Sequence, residues 1–391
     1  MSVHHTDASP GAARAWGWVA HLRGGGTTPW HSWTGDGVPT ARVLPGAQQL
    51  ELLRRLNIAD SSDWPQRGRD HLSTRLADRV LTAAAPGRGK PDLSLVGVGP
   101  SAYGPLPVDP SVLPADELIR VATSVLAEDV VALGVPGPAR QLPRSWRRDV
   151  RVVGNPLEAA HLRAHVVGRR PPARKGAAVL VLGGPLDQML ADVWSRRCFE
   201  RGSGAWLEWL RFWQQRGELP PRIDLPAVAA RQLAAHPGVR VVLDPAALPE
   251  LLHVRRIPPP TRPGGDASEL ARRIATVIGL LVPTEVRAAL MTQTLLPRMP
   301  ATRTPPVALP DEHRAWVSAA AHRMARQLRR AGYPVVGDPD SILPRESSGA
   351  GGAVPRGGEP TVASGELVLE LAVRMLVDQS WKTTEKTEGS E

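Results

Sequence analysis

The stretch DVRVVGNPLEAAHLRAHVVG, residues 149–168, decides the fold, because a short run of β-branched residues passes directly into a segment with helical spacing. The same alternation occurs twice more, where AAVLVLGG (177–184) precedes PLDQMLADVWSRRCF and VRVVLD (239–244) precedes PAALPELL. Short apolar strands that alternate with helices are typical of a parallel sheet covered by helices on both faces. We therefore expect a three-layer α/β domain in this part of the chain.

The loops that follow these strands are the first candidates for a ligand site. An open parallel sheet binds ligands just beyond the carboxyl ends of its strands. The corresponding loops are VGNP at 153–156, LGGPLD at 182–187 and LDPA at 243–246. We expect ligand contacts from four residues of the first two loops, namely Gly154, Asn155, Gly183 and Gly184.

The segment LGGPLDQ has two interpretations. Glycines that lead into a helix N-terminus present free backbone amides, which can bind an anion. Asp187, in the first turn of that helix, can instead stabilise the helix by interacting with its dipole. We favour helix stabilisation.

Asp244 and two histidines are the candidates for catalytic residues. Asp244 ends the third strand, where a catalytic or metal-binding carboxylate is common, although it can equally cap the next helix. Glu158, His161 and His165 are three and four residues apart and so lie near one face of a helix. Such a trio can bind a metal or transfer protons, but the glutamate of the H-E-x-x-H motif is missing. A solvated or capping role is the alternative, and we expect no metal.

The first part of the chain is expected to form a mostly helical domain over residues 15–140, preceded by a flexible arm of residues 1–14. Helical apolar spacing marks the segments 45–57, 69–84 and 113–134. The Pro-rich stretch that follows the last of these helices predicts a domain boundary.

Two short segments of this domain have the alternating pattern of strands. Trp16 and Trp18 alternate with smaller residues, and DLSLVGV at 92–98 is a run of mostly apolar residues. We therefore expect a strand at each place.

The segment HLRGGGTTPW, residues 21–30, looks like a phosphate-binding loop, and it supplies four further ligand-binding candidates: Arg23, Gly25, Thr27 and Trp30. A phosphate-binding loop works by feeding into a helix N-terminus. This segment feeds instead into HSWTGDGVP, whose glycines and proline prevent a helix of useful length. We expect a mobile loop that covers a ligand site built elsewhere, with simple packing as the alternative.

Three helices are expected to close the α/β domain, which spans residues 148–344. Their apolar spacing places them at about 266–281, 284–293 and 311–331.

The C-terminal part is expected to be a tethered helix. Residues 345–363 are too rich in Gly, Ser and Pro to pack and are read as a linker. A helix over 364–381 follows, with Ser364 placed to cap it, and residues 382–391 form a tail. This helix can dock on its own domain, on a second copy of the chain or on a partner protein.

Composition limits the choice of partners and compartment. The net charge is +10, yet the arginines are dispersed along the chain, so we do not expect nucleic acid to be the partner. The single cysteine fits a reducing compartment. The chain has no signal-peptide pattern and no apolar run long enough to span a bilayer. These features predict a cytoplasmic protein that does not use a membrane.

Over residues 148–344 the chain resembles bacterial sulfotransferase-like proteins of the P-loop class. The resemblance runs in order through VRVVG, AAVLVLGGPLDQMLADVW, GAWLEWLRFW, VRVVLD and HRAWVSAAAHRMARQLRRAGYPVVGDPDSILP. The last segment is the most specific, because family members end in a Trp-containing helix, a Gly-Tyr turn and a Val-Val-Gly-Asp segment. The resemblance implies a sulfotransferase-like fold for this domain.

The donor-binding motifs of that family are degenerate in this chain. Active members carry a Lys-Thr/Ser-Gly-Thr-Thr loop after the first strand, where this chain reads GNPLEAA at 154–160. The lysine and threonines are missing, and Glu158 adds a negative charge. The family's arginine for the 3′-phosphate of the donor falls near Gly183 and Gly184. The resemblance therefore implies the scaffold without its standard cofactor site, and we expect no cofactor.

Three functions follow from these observations. The first is binding of a small anionic or sugar-containing ligand, or of a partner protein, without standard sulfuryl transfer. The alternative is an active transferase that uses a different, nucleotide-type donor. A third is an arginine-rich nucleic-acid binder. Whether the protein is an enzyme stays open at this point.

Overall fold

The computed structural model describes residues 10–35, 44–62, 72–84, 92–98, 107–137, 150–164, 178–236, 238–252, 254–300, 304–345, 363–378 and 381. The chain divides into two compact units. Unit 1 comprises Met1–Pro136, Arg273–Pro300 and Ser364–Glu391, and unit 2 comprises Gly137–Arg272 and Ala301–Ala363. The first break falls in the Pro-rich stretch where the sequence predicts a boundary. The grouping of 273–300 with unit 1 differs from the contiguous 148–344 domain that the sequence predicts.

The helices are numbered in chain order. They are α1 (Pro10–Arg23), α2 (Ala47–Ser62), α3 (Thr74–Thr82), α4 (Ala115–Leu133), α5 (Pro156–Leu162), α6 (Leu186–Glu200), α7 (Trp206–Arg216), α8 (Leu225–Leu233), α9 (Leu248–Leu252), α10 (Gly265–Leu281), α11 (Thr284–Ala289), α12 (Asp311–Arg329) and α13 (Gly365–Val377).

Unit 2 is built on a parallel sheet of four strands, which confirms the predicted α/β class. The strands are β1 (Val150–Gly154), β2 (Ala178–Leu182), β3 (Val239–Val242) and β4 (Val335–Val336), and they lie in the order β1-β2-β3-β4. In the register of the sheet, Leu182 pairs with Gly154 on one side and with Val242 on the other. The first three strands therefore end level with one another, and the loops that follow them leave the same edge of the sheet.

Helices cover both faces of this sheet. On one face the strand residues share a core with α5 and α9; its members are Val150, Val152, Ala159, Leu162, Leu180, Leu182, Val242, Leu248 and Leu252. The alternate strand residues Val179, Val181 and Val241 are also buried, and α8 packs across β1, β2 and β3. Burial on both faces explains why the strands read as nearly continuous apolar runs.

The predicted strand around Trp16 and Trp18 is wrong, because both residues lie in α1. The buried positions Ala15, Trp18 and Leu22 are three and four residues apart, as one face of a helix requires. The helix begins at Pro10, inside the stretch that was expected to be an arm, and proline is well tolerated in a first turn.

The three helices predicted in this region are present as α2, α3 and α4. Segment 92–98 forms only one isolated bridge, Leu95 to Val108, rather than a full strand.

The C-terminal helix α13 packs against α4 and α2 of unit 1. Its apolar face is buried there; the buried residues are Val368, Leu369, Leu371, Ala372, Val373, Met375 and Leu376. Ser364 caps the helix as predicted, since its hydroxyl accepts a hydrogen bond from the backbone amide of Leu367. Most of the predicted linker and all of the predicted tail, residues 382–391, lie outside the described residues.

None of the helices that the structure describes combines the length and the hydropathy that a bilayer span requires.

Candidate functional site

Unit 2 contains a cavity of about 670 Å³ at the carboxyl edge of its sheet. Residues from all three predicted ligand loops line it, among them Asn155, Gly183, Gly184 and Pro245. Much of the remaining wall is apolar and consists of Leu162, Met189, Leu243, Ala246, Leu248, Ile257, Pro258, Pro259, Pro260 and Leu343. The parallel register thus brings together loops that are up to 90 residues apart in the sequence.

The end of β1 is shaped by a glycine that no other residue can easily replace. Gly154 has a φ of 97°, and a Cβ atom there would lie 2.2 Å from the carbonyl oxygen of Leu182. The chain then turns into α5, where the Asn155 side chain accepts a hydrogen bond from the backbone amide of Leu157 at 3.1 Å. Asn155 is therefore a helix cap, while Gly154 itself does not contribute to the cavity wall described above.

An ion network forms one side of the cavity. The Arg262 guanidinium contacts Asp192, with 3.0 Å between Nε and Oδ1, and Glu158, with 2.6 Å between Nη2 and Oε1. Asp192 also accepts a hydrogen bond of 2.7 Å from the Asn155 amide nitrogen. The amide of Gln188, oriented with its oxygen toward the guanidinium, accepts from Arg262 Nε at 2.7 Å and Nη1 at 3.1 Å. We call Asn155, Glu158, Gln188, Asp192 and Arg262 the cavity network.

Burial and ion pairing shift the pKa values of this network in opposite directions. Burial raises the pKa of Asp192, although Arg262 and Asn155 act to lower it. Burial acts to lower the pKa of Arg262, but Asp192 and Glu158 raise it above its ordinary value. The guanidinium therefore stays charged, and the ion pair offsets only part of the desolvation of Asp192.

The first turn of α6 carries a carboxylate, Asp187. The backbone amides of Asp187 and Gln188 face the Asp187 carboxyl group and act to lower its pKa, but burial outweighs them and raises it. Asp187 lies in the first turn of α6, where the helix dipole favours a negative charge, but its Oδ1 has no hydrogen-bond partner among the described residues.

Of the two candidate histidines, His161 and His165, the structure describes the first. His161 lines the cavity, and its Nε2 donates a hydrogen bond of 2.6 Å to the carbonyl oxygen of Pro258. This bond ties α5 to the proline-rich segment between α9 and α10 that forms part of the cavity wall. His165 lies outside the described residues.

Asp244 acts as a cap. Its carboxylate accepts a hydrogen bond of 2.9 Å from the backbone amide of Ala246 and so begins the short 3-10 turn Pro245–Ala247. Its neighbours Leu243 and Pro245 line the cavity. The capping alternative is therefore the one that the geometry supports.

The candidates in the loop at 21–30 belong to unit 1. Arg23 pairs with Asp78, and Thr27 is exposed. Trp30 is only 3% exposed, packs against Trp18 with 5.3 Å between ring centroids, and donates from Nε1 to the carbonyl oxygen of Val96 at 3.2 Å.

The turn itself is held by further contacts. Gly25 has a φ of 86°, which permits the turn after α1. The Asn57 amide donates to the carbonyl oxygens of Leu22 and Gly26. His21 stacks on Trp33 with 4.6 Å between ring centroids. These contacts support the packing alternative over a mobile cover.

Sequence reasoning missed Gln188, Asp192 and Arg262. Gln188 and Asp192 lie on α6, four residues apart, and face the same partner. A charged residue within the apolar spacing of α6 was the one available signal. Arg262 lies in a segment without helix or strand, so no periodicity marks it.

In the part of the chain that the structure describes, no three His, Cys, Asp or Glu side chains are grouped so that they could hold a metal ion. No family model, curated protein or solved structure matches this chain.

Proposed function

We propose that unit 2 binds a small, uncharged, hydroxyl-bearing organic ligand, such as a sugar-containing molecule, and does not carry out standard sulfuryl transfer. In this proposal the unit is a sulfotransferase-like scaffold whose donor site has been replaced. The observation that carries the proposal is the cavity network, in which Arg262 is already bound to the protein's own acceptors. The second arginine of the cavity wall, Arg345, is exposed and interacts electrostatically with Asp187.

The size and lining of the cavity favour a small organic ligand. A volume of about 670 Å³ lies within the range of about 300 to 1,000 Å³ that is typical of small-molecule sites. Its apolar wall includes the prolines 258–260, and its polar side includes Glu158 and His161. A ligand with an apolar body and one edge of hydroxyl groups matches both sides.

Two groups of the protein occupy places where a phosphorylated donor would need contacts. Asn155 caps α5, and Glu158 binds the Arg262 guanidinium. Asp187 adds a carboxyl group in the first turn of α6. A phosphate would have to displace Arg262 from its carboxylates, and breaking a buried ion pair costs about 3 to 5 kcal/mol. New charge-assisted hydrogen bonds return about 1.5 to 3 kcal/mol each. Displacement therefore gives a phosphate little net gain, whereas a neutral ligand leaves the network intact.

A thermal-shift experiment with a blocked cavity tests the proposal. Gly184 lines the cavity, and a Cβ atom there meets no other atom within 4 Å. Gly184→Leu should therefore fill the cavity without disturbing the fold. Gly332→Leu is the matched control, because Gly332 also lies in unit 2, also has open space around it and is absent from the cavity wall.

Wild type and both variants are heated with neutral glycosides and polyols, and separately with 3′,5′-adenosine bisphosphate. We expect at least one neutral compound to raise the melting temperature of wild type and Gly332→Leu but not of Gly184→Leu. At a ligand concentration of 100 times Kd the stabilisation is about 2.7 kcal/mol. A concentration-dependent rise with the bisphosphate that Gly184→Leu abolishes would overturn the proposal in favour of a nucleotide donor.

A further inference from the structure

A second group of charged residues lies near the C-terminal ends of α5 and α6, and it carries a net positive charge where the cavity network carries a net negative one. Arg196 and Arg222 both bind Glu200, with 2.8 Å from Arg196 Nε to Oε1 and 3.2 Å from Arg222 Nη1 to Oε2. Arg163 follows the last residue of α5 and interacts electrostatically with all three. Two guanidinium groups thus contact one carboxylate, and a third interacts with them electrostatically. We call these four residues the arginine cluster.

Arg163 is the unsatisfied member of the cluster. Its Nε donates to the carbonyl oxygen of Ala159 at 2.9 Å, but its two terminal nitrogens have no hydrogen-bond partner among the described residues. Burial lowers the pKa of Arg163, and the positive charges of Arg196 and Arg222 lower it further. The side chain is partly buried in a place where nearby cations disfavour its own charge.

Each carboxylate oxygen of Glu200 is bound by one of the other two arginines. Burial acts to raise its pKa, but the hydrogen bonds and charges of Arg196 and Arg222 hold it below the ordinary value. The carboxylate is therefore ionised and contributes one negative charge. The C-terminal ends of α5 and α6 contribute up to about half a negative charge each through their dipoles. About one positive charge in the cluster remains without compensation.

We propose that the arginine cluster binds a small oxyanion, such as a phosphate or sulfate group, between the ends of α5 and α6. The two terminal nitrogens of Arg163, which bond to none of the described residues, form the planar fork of donors that suits such an anion. Glu200 lies eight residues beyond Asp192 on α6, a separation of about 12 Å along a helix, so this site is distinct from the cavity. The proposal does not depend on what the cavity binds.

Two variants of the cluster change its charge in opposite directions. Arg163→Met keeps an unbranched side chain but removes the unsatisfied donors, and Glu200→Gln removes the only carboxylate. Arg326→Met is the matched control, because Arg326 is exposed on α12 in the same unit and lies outside the cluster. Binding of inorganic pyrophosphate is measured by calorimetry on the full chain at fixed ionic strength.

We expect Arg163→Met to weaken binding about tenfold or more, the loss of at least one charge-assisted bond. Glu200→Gln should bind more tightly than wild type, and Arg326→Met should match wild type. If Glu200→Gln folds less well, pyrophosphate should raise its melting temperature more than that of wild type. Equal affinity in all four proteins, or weaker binding and a smaller thermal shift in Glu200→Gln, would overturn the proposal.

A second arm of the experiment distinguishes a free anion from the phosphodiester of a nucleic acid. A single-stranded oligonucleotide is titrated into the same four proteins. A response to pyrophosphate that depends on Arg163, with no such dependence for the oligonucleotide, supports a small-anion site. Arg163-dependent binding of the oligonucleotide alone would refute it in favour of nucleic-acid binding.

Discussion

Arg262→Met is the perturbation that tests the cavity network most directly. Among the described residues Arg262 is the cation that contacts Asp192, whose side chain is 3% exposed, and methionine replaces it with an unbranched, uncharged side chain. Removing one partner of a buried ion pair costs about 3 to 5 kcal/mol, because the remaining charge is left buried without compensation. Glu158 is 18% exposed and can be hydrated in part. We therefore expect a loss of about 3 kcal/mol in the free energy of unfolding at pH 7.

The loss of unfolding free energy in Arg262→Met should become larger as the pH rises. Burial already raises the pKa of Asp192, and without Arg262 the pKa rises further. A carboxyl group whose pKa is higher in the folded than in the unfolded state binds more protons when folded. Its stabilising effect is complete below the unfolded pKa of about 3.9 and is lost as the pH rises through the folded pKa. Arg262→Met should therefore be closer to wild type at pH 5 than at pH 7.

Urea denaturation followed by tryptophan fluorescence measures both effects, because Trp194 and Trp206 are buried in unit 2. Arg323→Met, an exposed arginine on α12, is the control and should change stability by about 0.5 kcal/mol or less. Adding Asp192→Asn to Arg262→Met should recover part of the loss, since the amide carries no charge. A loss below about 1 kcal/mol, the same loss at both pH values, or no recovery in the double variant would refute this account.

Three further substitutions test packing. Trp30→Ala should cost about 3 to 5 kcal/mol in the unfolding of unit 1, and a nearly unchanged stability would mean that the loop does not pack. Gly154→Ala should reduce the free energy of unfolding by more than about 2 kcal/mol, because a Cβ would meet the Leu182 carbonyl at a φ that favours glycine; Gly184→Ala is its nearly neutral control. Leu371→Ala, on the buried face of α13, should destabilise the chain by about 2 to 5 kcal/mol in denaturant titrations. Wild-type stability in that variant would mean that α13 docks elsewhere.

The sequence predicted the sheet of unit 2 because its strands are buried on both faces. Such strands appear as short apolar runs, and β1, β2 and β3 fall where those runs lie. The strand β4 has only two residues, Val335–Val336, and so has no pattern to detect. A strand was predicted in place of α1 because Trp16 and Trp18 alternate with smaller residues. The buried residues Ala15, Trp18 and Leu22 have helical spacing, which is the pattern that the fold follows.

The cavity was only partly predictable for a topological reason. Parallel strands that end level bring their following loops together, so the meeting of Asn155, Gly183 and Pro245 follows from the order of the elements. The contact between Arg262 and Asp192 joins residues 70 positions apart, and one of them lies in a segment without periodicity. No local pattern can predict such a pair. The sequence showed that Glu158 brings a negative charge to this loop, but it did not show that Arg262 pairs with it.

The cavity network and the arginine cluster differ in what an incoming anion would meet. In the cavity network, two carboxylates and an amide surround the single guanidinium of Arg262, so its donors are already engaged. In the arginine cluster, Arg196 and Arg222 share Glu200, and the terminal nitrogens of Arg163 have no hydrogen-bond partner in the described part of the chain. An anion gains most where donors outnumber acceptors, because no existing ion pair has to break. This difference is the reason why we propose an oxyanion at the arginine cluster and an uncharged ligand in the cavity.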